Sequence, residues 1–306
     1  MDTFRTRRLK GVGAALLAAL CWGSSTVMSK GALEGFSPVL LLNVQLVSSL
    51  VFLWGIIIVL RIDKNSSADI RKVAYLGFLE PGIAYFLGLI GLTWIAAGTA
   101  SLIQATEALM IAFLCAFLFK ERLSIQFLLL SSTALFGLVI VLGDGGFSVG
   151  SMEPLGQLLV FGGTLSAAIY VVLSSKVSGS INPLVMVAYQ QVAAMVLALG
   201  ALLFSGIFGE IKLPHTDAMQ WILAIVSGVI QYAVAFALYF YATRFISASS
   251  AGAFLCMVPV FGVAGGCVFL GENISTFQLC GGALTLVAIS IMSIFFMPET
   301  EESLHH

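Results

Sequence analysis

The stretch from Gly77 to Arg122 constrains the fold most, because it joins two long apolar runs that each carry a carboxylic acid. Glu80 lies in the first run and Glu107 near the middle of the second, with Ala96–Gly98 between them. A helix of about 20 apolar residues crosses a bilayer, so we predict two spanning helices. An ionised side chain at mid-bilayer costs about 2.5–3.5 kcal/mol. We therefore expect both acids to face a polar cavity on the path of a solute.

The composition of the whole chain is that of a membrane protein. Of its 306 residues, 59% are hydrophobic and 9% are charged, with a mean hydropathy of +1.06, whereas a soluble domain carries about 25% charged residues. The net charge is −1 and there is no basic stripe, so no nucleic-acid partner is expected. The five cysteines lie in apolar runs without metal-ligand spacing and are interpreted as packing residues. No cofactor is expected; the predicted partners are the lipid bilayer and a small-molecule substrate, for a monomer or weak homodimer.

The apolar runs and their breaks predict an all-α polytopic membrane protein with about ten transmembrane helices. The basic start MDTFRTRRLKG resembles the first part of a signal peptide, but the run after it is too long for one, so we expect a retained first helix. His305 and His306 are given no functional weight. The predicted spans are residues 11–32, 38–60, 72–94, 97–119, 123–142, 155–175, 183–205, 218–242, 248–270 and 275–297.

The basic residues indicate the orientation of these spans. With both termini on one side of the membrane, that side holds twelve of the 14 Lys and Arg residues, and the other side keeps only Lys30 and Lys212. Cytoplasmic loops carry the excess of basic residues. We therefore predict a multi-pass protein of the inner (plasma) membrane with both termini in the cytoplasm.

Two pairs of similar segments indicate an internal repeat. FLFKERLS (117–124) parallels VFLGENIS (268–275) with an offset of 151 residues, which also aligns Glu80 with Gln231. FSPVLLLNVQ (36–45) parallels INPLVMVAYQ (181–190) with an offset of 145. We predict two halves, 1–146 and 147–306, of five helices each. Because five is odd, the second half would be inverted relative to the first, the plan of secondary transporters with a binding site between the halves.

The chain resembles the drug/metabolite transporter superfamily, in its EamA-type branch of two five-helix repeats. The resemblance implies transport of small metabolites, often export of amino acids or related compounds. Many members carry proline where this chain has Ala108, the match of Pro259 at the 151 offset, which implies a less broken fourth helix here. The residues that carry the resemblance are Ala19–Gly23 with Lys30, Ser37-Pro38, Asn182-Pro183, Ala97–Ser101, Ser249–Gly252, Met257–Val260, and the pairs Glu121/Ser124 and Glu272/Ser275.

The two acids are the main candidates for substrate binding and proton coupling. Gln104 and Glu107 are three residues apart and so share a helix face. Burial disfavours the ionised form of a carboxyl group, so Glu107 could bind a substrate amine or carry a proton. The alternative is a protonated acid that packs against another helix. Glu80 precedes Pro81, which removes a donor and kinks a helix, so it is either a site residue at a broken helix or an acid that reaches water.

Amides and aromatic residues inside the spans are further candidates. Asn43, Gln45 and Gln190 have amide donors and acceptors that suit an amino-acid-like solute. Gln231 keeps the polarity of its match Glu80 without the charge. The alternative is that these amides form hydrogen bonds between helices. Four aromatic residues inside the spans could contact a cation or an aromatic ring of the solute, or else pack against neighbouring helices. They are Trp22, Tyr85, Tyr189 and Tyr232. Gly262 and Gly266 form a small-xxx-small pair that favours close helix packing, with a gate as a further role.

These observations predict a secondary-active transporter of small polar metabolites, an exporter of amino acids or amines that works by alternating access, with protons as a candidate coupling ion. It is not expected to be an enzyme. Two other classes stay open. A non-transporting membrane partner or sensor would tolerate amide replacement of its acids. A membrane-embedded enzyme acting on lipid would need a nucleophile with its base, or a metal set, and the spans offer neither.

Overall fold

The computed structural model describes residues 2–62, 70–119, 125–143, 152–174, 181–207, 216–246 and 254–295, and across these ranges the secondary structure is helical. Glu121, Ser124 and the segment 249–252, which carry part of the family resemblance, lie outside the described residues. The helices are α1 (Asp2–Ala32), α2 (Pro38–Val59), α3 (Ile70–Tyr75), α4 (Ala84–Leu92), α5 (Ala97–Gln104), α6 (Glu107–Phe119), α7 (Ile125–Gly143), α8 (Glu153–Ser174), α9 (Pro183–Ile207), α10 (Ala218–Gly228), α11 (Ala235–Ala242), α12 (Val258–Leu270) and α13 (Thr276–Phe295).

The helices have the length and composition of a membrane bundle. In the described ranges, six helical segments are long and apolar enough to cross a bilayer: Leu9–Ala32, Pro38–Val59, Ile70–Leu92, Glu153–Ser174, Pro183–Ser205 and Ala218–Ala242. Three shorter apolar helices cover Leu128–Val141, Val258–Leu270 and Thr276–Ile291. The prediction of an all-α polytopic membrane protein is confirmed; the number of spans and the inverted order of the halves stay predictions.

Proline and a small polar residue begin two of the spans, as the repeat predicts. Ser37 is the N-cap of α2, and its side chain accepts a hydrogen bond from the Leu40 backbone N–H at 3.4 Å. Before α9, Asn182 Oδ1 accepts from the Leu184 N–H at 3.0 Å. Proline fits the first helical position because its missing N–H would have no partner there. The Ser-Pro and Asn-Pro openings therefore determine where both helices start.

The third span is interrupted at Glu80 and Pro81. Between α3 and α4 the chain passes through a 3₁₀ turn (Leu76–Phe78) and a π turn (Leu79–Ile83), inside which Glu80 has extended dihedrals of φ −144° and ψ 126°. Ser166 on α8 donates a hydrogen bond to the Leu79 carbonyl at 3.0 Å. Non-helical backbone is tolerated at membrane depth when neighbouring side chains satisfy its polar groups.

The segment between α10 and α11 also contains a π turn, but without a non-helical residue. A π turn spans Val229–Val234, and Gln191 on α9 donates to the Tyr232 carbonyl at 2.6 Å. Such turns occur often at functional sites. Gln231 lies inside this turn and Glu80 inside the first one, so the 151-residue offset aligns the two interruptions.

The predicted fourth span contains a two-residue turn at Ala105 and Thr106, and the expectation that it is less broken than in members with proline stays a prediction. α5 ends at Gln104 and α6 begins at Glu107, and in the turn between them both the amide and the hydroxyl of Thr106 donate to the Ile103 carbonyl. The turn forms without a proline, and the Thr106 hydroxyl shares the Ile103 carbonyl with the backbone amide. α12 begins at Val258 after a 3₁₀ turn (Leu255–Met257), 151 residues after Glu107.

Glycines let several helix pairs approach closely. A Cβ at Gly91 would come within 2.5 Å of the Gly156 carbonyl, where α4 crosses α8. One at Gly262 on α12 would overlap the Ser101 hydroxyl on α5. Small residues permit this approach of backbones in membranes, and the close packing predicted for Gly262 is confirmed.

Candidate functional site

A cavity of about 860 Å³ lies in the bundle between α1, the third span, α5, α6, α8, α9, α11 and α12. Its size is in the range of small-molecule binding sites. In the described part of the chain, no three His, Cys, Asp or Glu side chains are grouped to hold a metal ion. The polar and aromatic side chains that line it include Trp22, Ser29, Glu80, Tyr85, Gln104, Glu107, Tyr170, Gln231, Tyr239 and Arg244.

The two acids reach the cavity from the two broken spans. Glu80 is buried in the kink before Pro81, and Glu107 occupies the first turn of α6. A helix N-terminus favours a negative charge, and Glu107 is the acid in the first turn of α6. The two carboxyl groups interact electrostatically with each other. Repulsion between like charges favours a cation or a proton at such a pair.

The cavity brings together six of the ten residues that the sequence analysis selected. Glu80, Glu107, Gln104, Trp22, Tyr85 and Gln231 line it, whereas Asn43, Gln45, Tyr189 and Gln190 do not. Trp22 packs edge-on against Phe236 and Tyr239, with ring centroids 5.1 and 5.8 Å away. These contacts hold an aromatic wall beside the acids.

Gln45 lies one layer behind the cavity and supports its wall. Its Nε2 donates to the hydroxyls of Ser29 and Ser227, both at 2.8 Å. Its Oε1 accepts from the Tyr232 hydroxyl at 3.2 Å. Ser29 lines the cavity and donates in turn to Gln231 at 3.5 Å. Gln45 therefore orients two helices behind the site and does not itself face a solute in this structure.

The other three polar candidates outside the cavity wall make contacts of the packing type. Asn43 Nδ2 donates to the Val39 carbonyl at 2.8 Å and across to the Ala198 carbonyl at 2.9 Å. Gln190 Oε1 accepts from the Tyr170 hydroxyl at 3.0 Å. Tyr189 packs edge-on against Trp54, with centroids 5.5 Å apart. These are the interhelical contacts that the alternative interpretation of the span amides describes.

Sequence reasoning missed Tyr170, Tyr239 and Arg244, which also line the cavity. One signal could have found Tyr239: it lies two turns after Gln231 in the same span, and residues four apart share a helix face. Tyr170 had no such partner in the sequence. Its role depends on where α8 crosses α9, because its hydroxyl reaches Gln190 across that crossing.

The hydrogen bonds of Gln45 lead to a prediction for stability. We expect Gln45→Met to lower the free energy of unfolding by about 2 kcal/mol, because methionine fills similar space but leaves buried hydroxyls without their partner. Gln126→Met, at an exposed position on α7, is the control. Thermal melts followed by tryptophan fluorescence in detergent measure both variants. Equal melting temperatures for the two would contradict the supporting role of Gln45.

Comparison with known proteins places this geometry in a family context. The model of the EamA-like transporter family matches residues 9–143 and 154–294. The uncharacterized transporter YoaV of Bacillus subtilis is 25% identical over 90% of this chain and 94% of its own length. An uncharacterized transporter of Methanothermobacter thermautotrophicus is 26% identical over 94% of this chain and 87% of its own length.

A solved crystal structure has the same fold. It superposes with a TM-score of 0.66 over 97% of this chain and 98% of its own, at 19% sequence identity. At this sequence identity the match shows a shared fold and nothing about function. A WAT1-related chloroplast protein of Arabidopsis thaliana is 28% identical over 66% of this chain and 50% of its own length.

Proposed function

The chain belongs to the EamA-like transporter family, and from this premise we propose that it is a secondary-active exporter of amino acids or amines. The relatives named as transporters agree with a protein that is not an enzyme. A bilayer and a small-molecule solute are its partners. Its substrate site is the cavity that Glu80 and Glu107 share.

The carboxyl pair is the observation that carries this proposal. Both acids line one cavity, and they interact electrostatically there. An ammonium group offsets the repulsion between them, and so does a proton. Substrate amine and proton then compete for the same two groups, which couples export of one to entry of the other. The aromatic wall of Trp22 and Tyr239 adds a surface suited to a cation or a ring.

The distribution of basic residues supports the orientation. With both termini in the cytoplasm, Arg244 lies at the cytoplasmic end of the cavity and Lys30 at the external end. Export, the direction that the family resemblance implies, then requires loading at the Arg244 end and release at the Lys30 end.

The internal repeat supports alternating access. The interruptions at Glu80 and Gln231, and the helix starts at Glu107 and Val258, keep one offset of 151 residues. Thr285 Oγ1 donates to the Ala134 carbonyl at 3.0 Å, and these two residues are matches at that same offset. A residue that touches its own match lies beside the axis relating two halves. Two similar halves about such an axis can exchange conformations and open the site to either side. The boundary between 1–146 and 147–306 stays a prediction.

Flux from proteoliposomes tests the proposal. Purified protein is reconstituted with a mixed pool of amino acids and amines inside, and the loss of each solute is followed with and without a pH gradient. We expect selective loss of a solute with an amino group that speeds up when the outside is acidic. Loss that is indifferent to pH would contradict proton coupling. No loss of any solute from folded protein would favour a non-transporting partner or sensor.

A further inference from the structure

Lys30 binds the carbonyl end of a neighbouring helix. Its half-buried ammonium, near the end of α1, donates to the Leu92 carbonyl at 2.7 Å and to the Ile95 carbonyl at 2.9 Å. Leu92 is the last residue of α4. A cation at a helix C-terminus is stabilised by the aligned peptide dipoles. Lys30 therefore joins α1 to the connection between α4 and α5.

Glu272 binds the amide end of the next helix. Glu272 follows α12, and its carboxylate accepts hydrogen bonds from the backbone N–H groups of Ala97 at 2.6 Å and of Gly98 at 3.0 Å. These are the first two residues of α5, whose N-cap Ala96 provides no side-chain hydrogen bond. The carboxylate thus supplies the cap that the local sequence lacks. Glu272 and Lys30 also interact electrostatically.

Glycines make room for this carboxylate. A Cβ at Gly266 would overlap the Oε2 atom of Glu272, and one at Gly98 would lie 3.5 Å from the same atom. Gly266 is the second member of the small-xxx-small pair on α12. Its lack of a side chain therefore accommodates a polar contact as well as helix packing.

The Lys30–Glu272 cluster lies at one end of the cavity. Leu92 and Ala100 line the cavity at this end. Arg244 lies at the other end, because Gly11 of α1 is close to Phe245 and Ile246, and Lys30 is about 28 Å further along that helix. The cluster thus ties α1, α4, α5 and α12 together at the end away from Arg244.

We propose that Lys30 and Glu272 form a gate that keeps this end of the cavity closed and that opens in each transport cycle. The inference rests on the proposed transport function for its purpose, although the gate itself can be detected without any substrate. Each charge acts on the helix end of opposite sign. The contacts of Lys30 and Glu272 with the two helix ends keep the gate closed. The attraction between Lys30 and Glu272 contributes less.

Labelling of a cysteine inside the cavity tests the gate. Ala100→Cys places a thiol on the cavity wall, and a membrane-impermeant maleimide is applied from the Lys30 side of oriented vesicles. Labelling of the parent without Ala100→Cys is subtracted for every variant, which corrects for the native cysteines. We expect Lys30→Met and Glu272→Gln each to raise the labelling rate about tenfold, the scale on which a charged hydrogen bond shifts an equilibrium.

Three further variants make the test specific. Gly266→Ala should raise labelling because it displaces the carboxylate without removing a charge, and it stands in for Glu272→Gln if that variant does not fold. Lys30→Arg keeps charge and donors, so it should label like the parent. Glu34→Gln removes the other carboxylate that interacts with Lys30, an exposed one, and should have little effect.

Swapping the two charges separates the gate from a simple ion pair. In the double variant Lys30→Glu with Glu272→Lys, each charge meets the helix end of its own sign, so labelling should stay as high as in the single variants. Restoration of slow labelling would overturn the helix-end gate, and so would unchanged labelling in Lys30→Met and Gly266→Ala. Labelling that responds as expected in a protein without flux would retain the gate and count against the transport proposal.

Discussion

Replacing Glu107 by glutamine is expected to lower solute flux in proteoliposomes by about 30-fold or more. Glutamine keeps the shape and one carbonyl acceptor but removes the charge and the exchangeable proton. Removing one partner of a buried charged contact costs about 2–5 kcal/mol, and each 1.4 kcal/mol is a factor of about ten. The remaining flux should also respond less to the pH gradient, because only Glu80 is then left to exchange a proton in the cavity.

Two companion variants show whether the effect belongs to the carboxyl pair. Glu80→Gln should reduce flux less completely, because Glu107 still offers a carboxylate at the helix end. Glu153→Gln is the control, since Glu153 also occupies the first turn of a helix, α8, but is not part of the cavity wall. All three variants should elute from a size-exclusion column in detergent as folded protein. Wild-type flux from Glu107→Gln would remove Glu107 from the mechanism.

The acids could be found from the sequence because their cost in a membrane is large. A charged group in an apolar run needs a polar environment wherever the helices pack, which favoured a cavity position for Glu80 and Glu107. Gln45 and Gln190 gave a weaker signal, since an amide is satisfied as well by a neighbouring helix as by a solute. Whether such an amide meets a solute or a neighbouring helix depends on how its span is rotated about its axis. The 3.6-residue periodicity of hydrophobic residues does not reveal that rotation in a span that is apolar on every side.

Span ends followed from the sequence more closely than span interiors. Pro38 and Pro183 begin α2 and α9 at the predicted residues, because proline fixes the first turn locally. The break at Ala105–Thr106 gave no comparable local signal, having neither glycine nor proline. The contacts of α5 with Glu272 and Gly262 come from the other half of the chain, and such long-range contacts cannot be found from local sequence.

Replacing Gly77 by alanine is expected to remove most of the folded protein, for a reason visible only in the structure. Gly77 lies in the 3₁₀ turn before Glu80, against α9, and a Cβ there would overlap the main-chain carbonyl of Gln190. Backbone cannot move aside like a flexible side chain, so we expect a loss of about 3 kcal/mol or more, the upper range for overpacking. A stability of about 5–15 kcal/mol leaves little margin for such a loss.

Gly88→Ala in the same span is the matched control, since a Cβ at Gly88 meets nothing within 4 Å. Alanine is a better helix former than glycine by about 1 kcal/mol, so this variant should melt at or above the parent temperature. Fluorescence-detected size exclusion and thermal melts in detergent compare the two. Similar melting of both variants would mean that the third span can move away from α9. The position of Glu80 in the cavity would then be adjustable, and the carboxyl pair would not be held by a fixed crossing of helices.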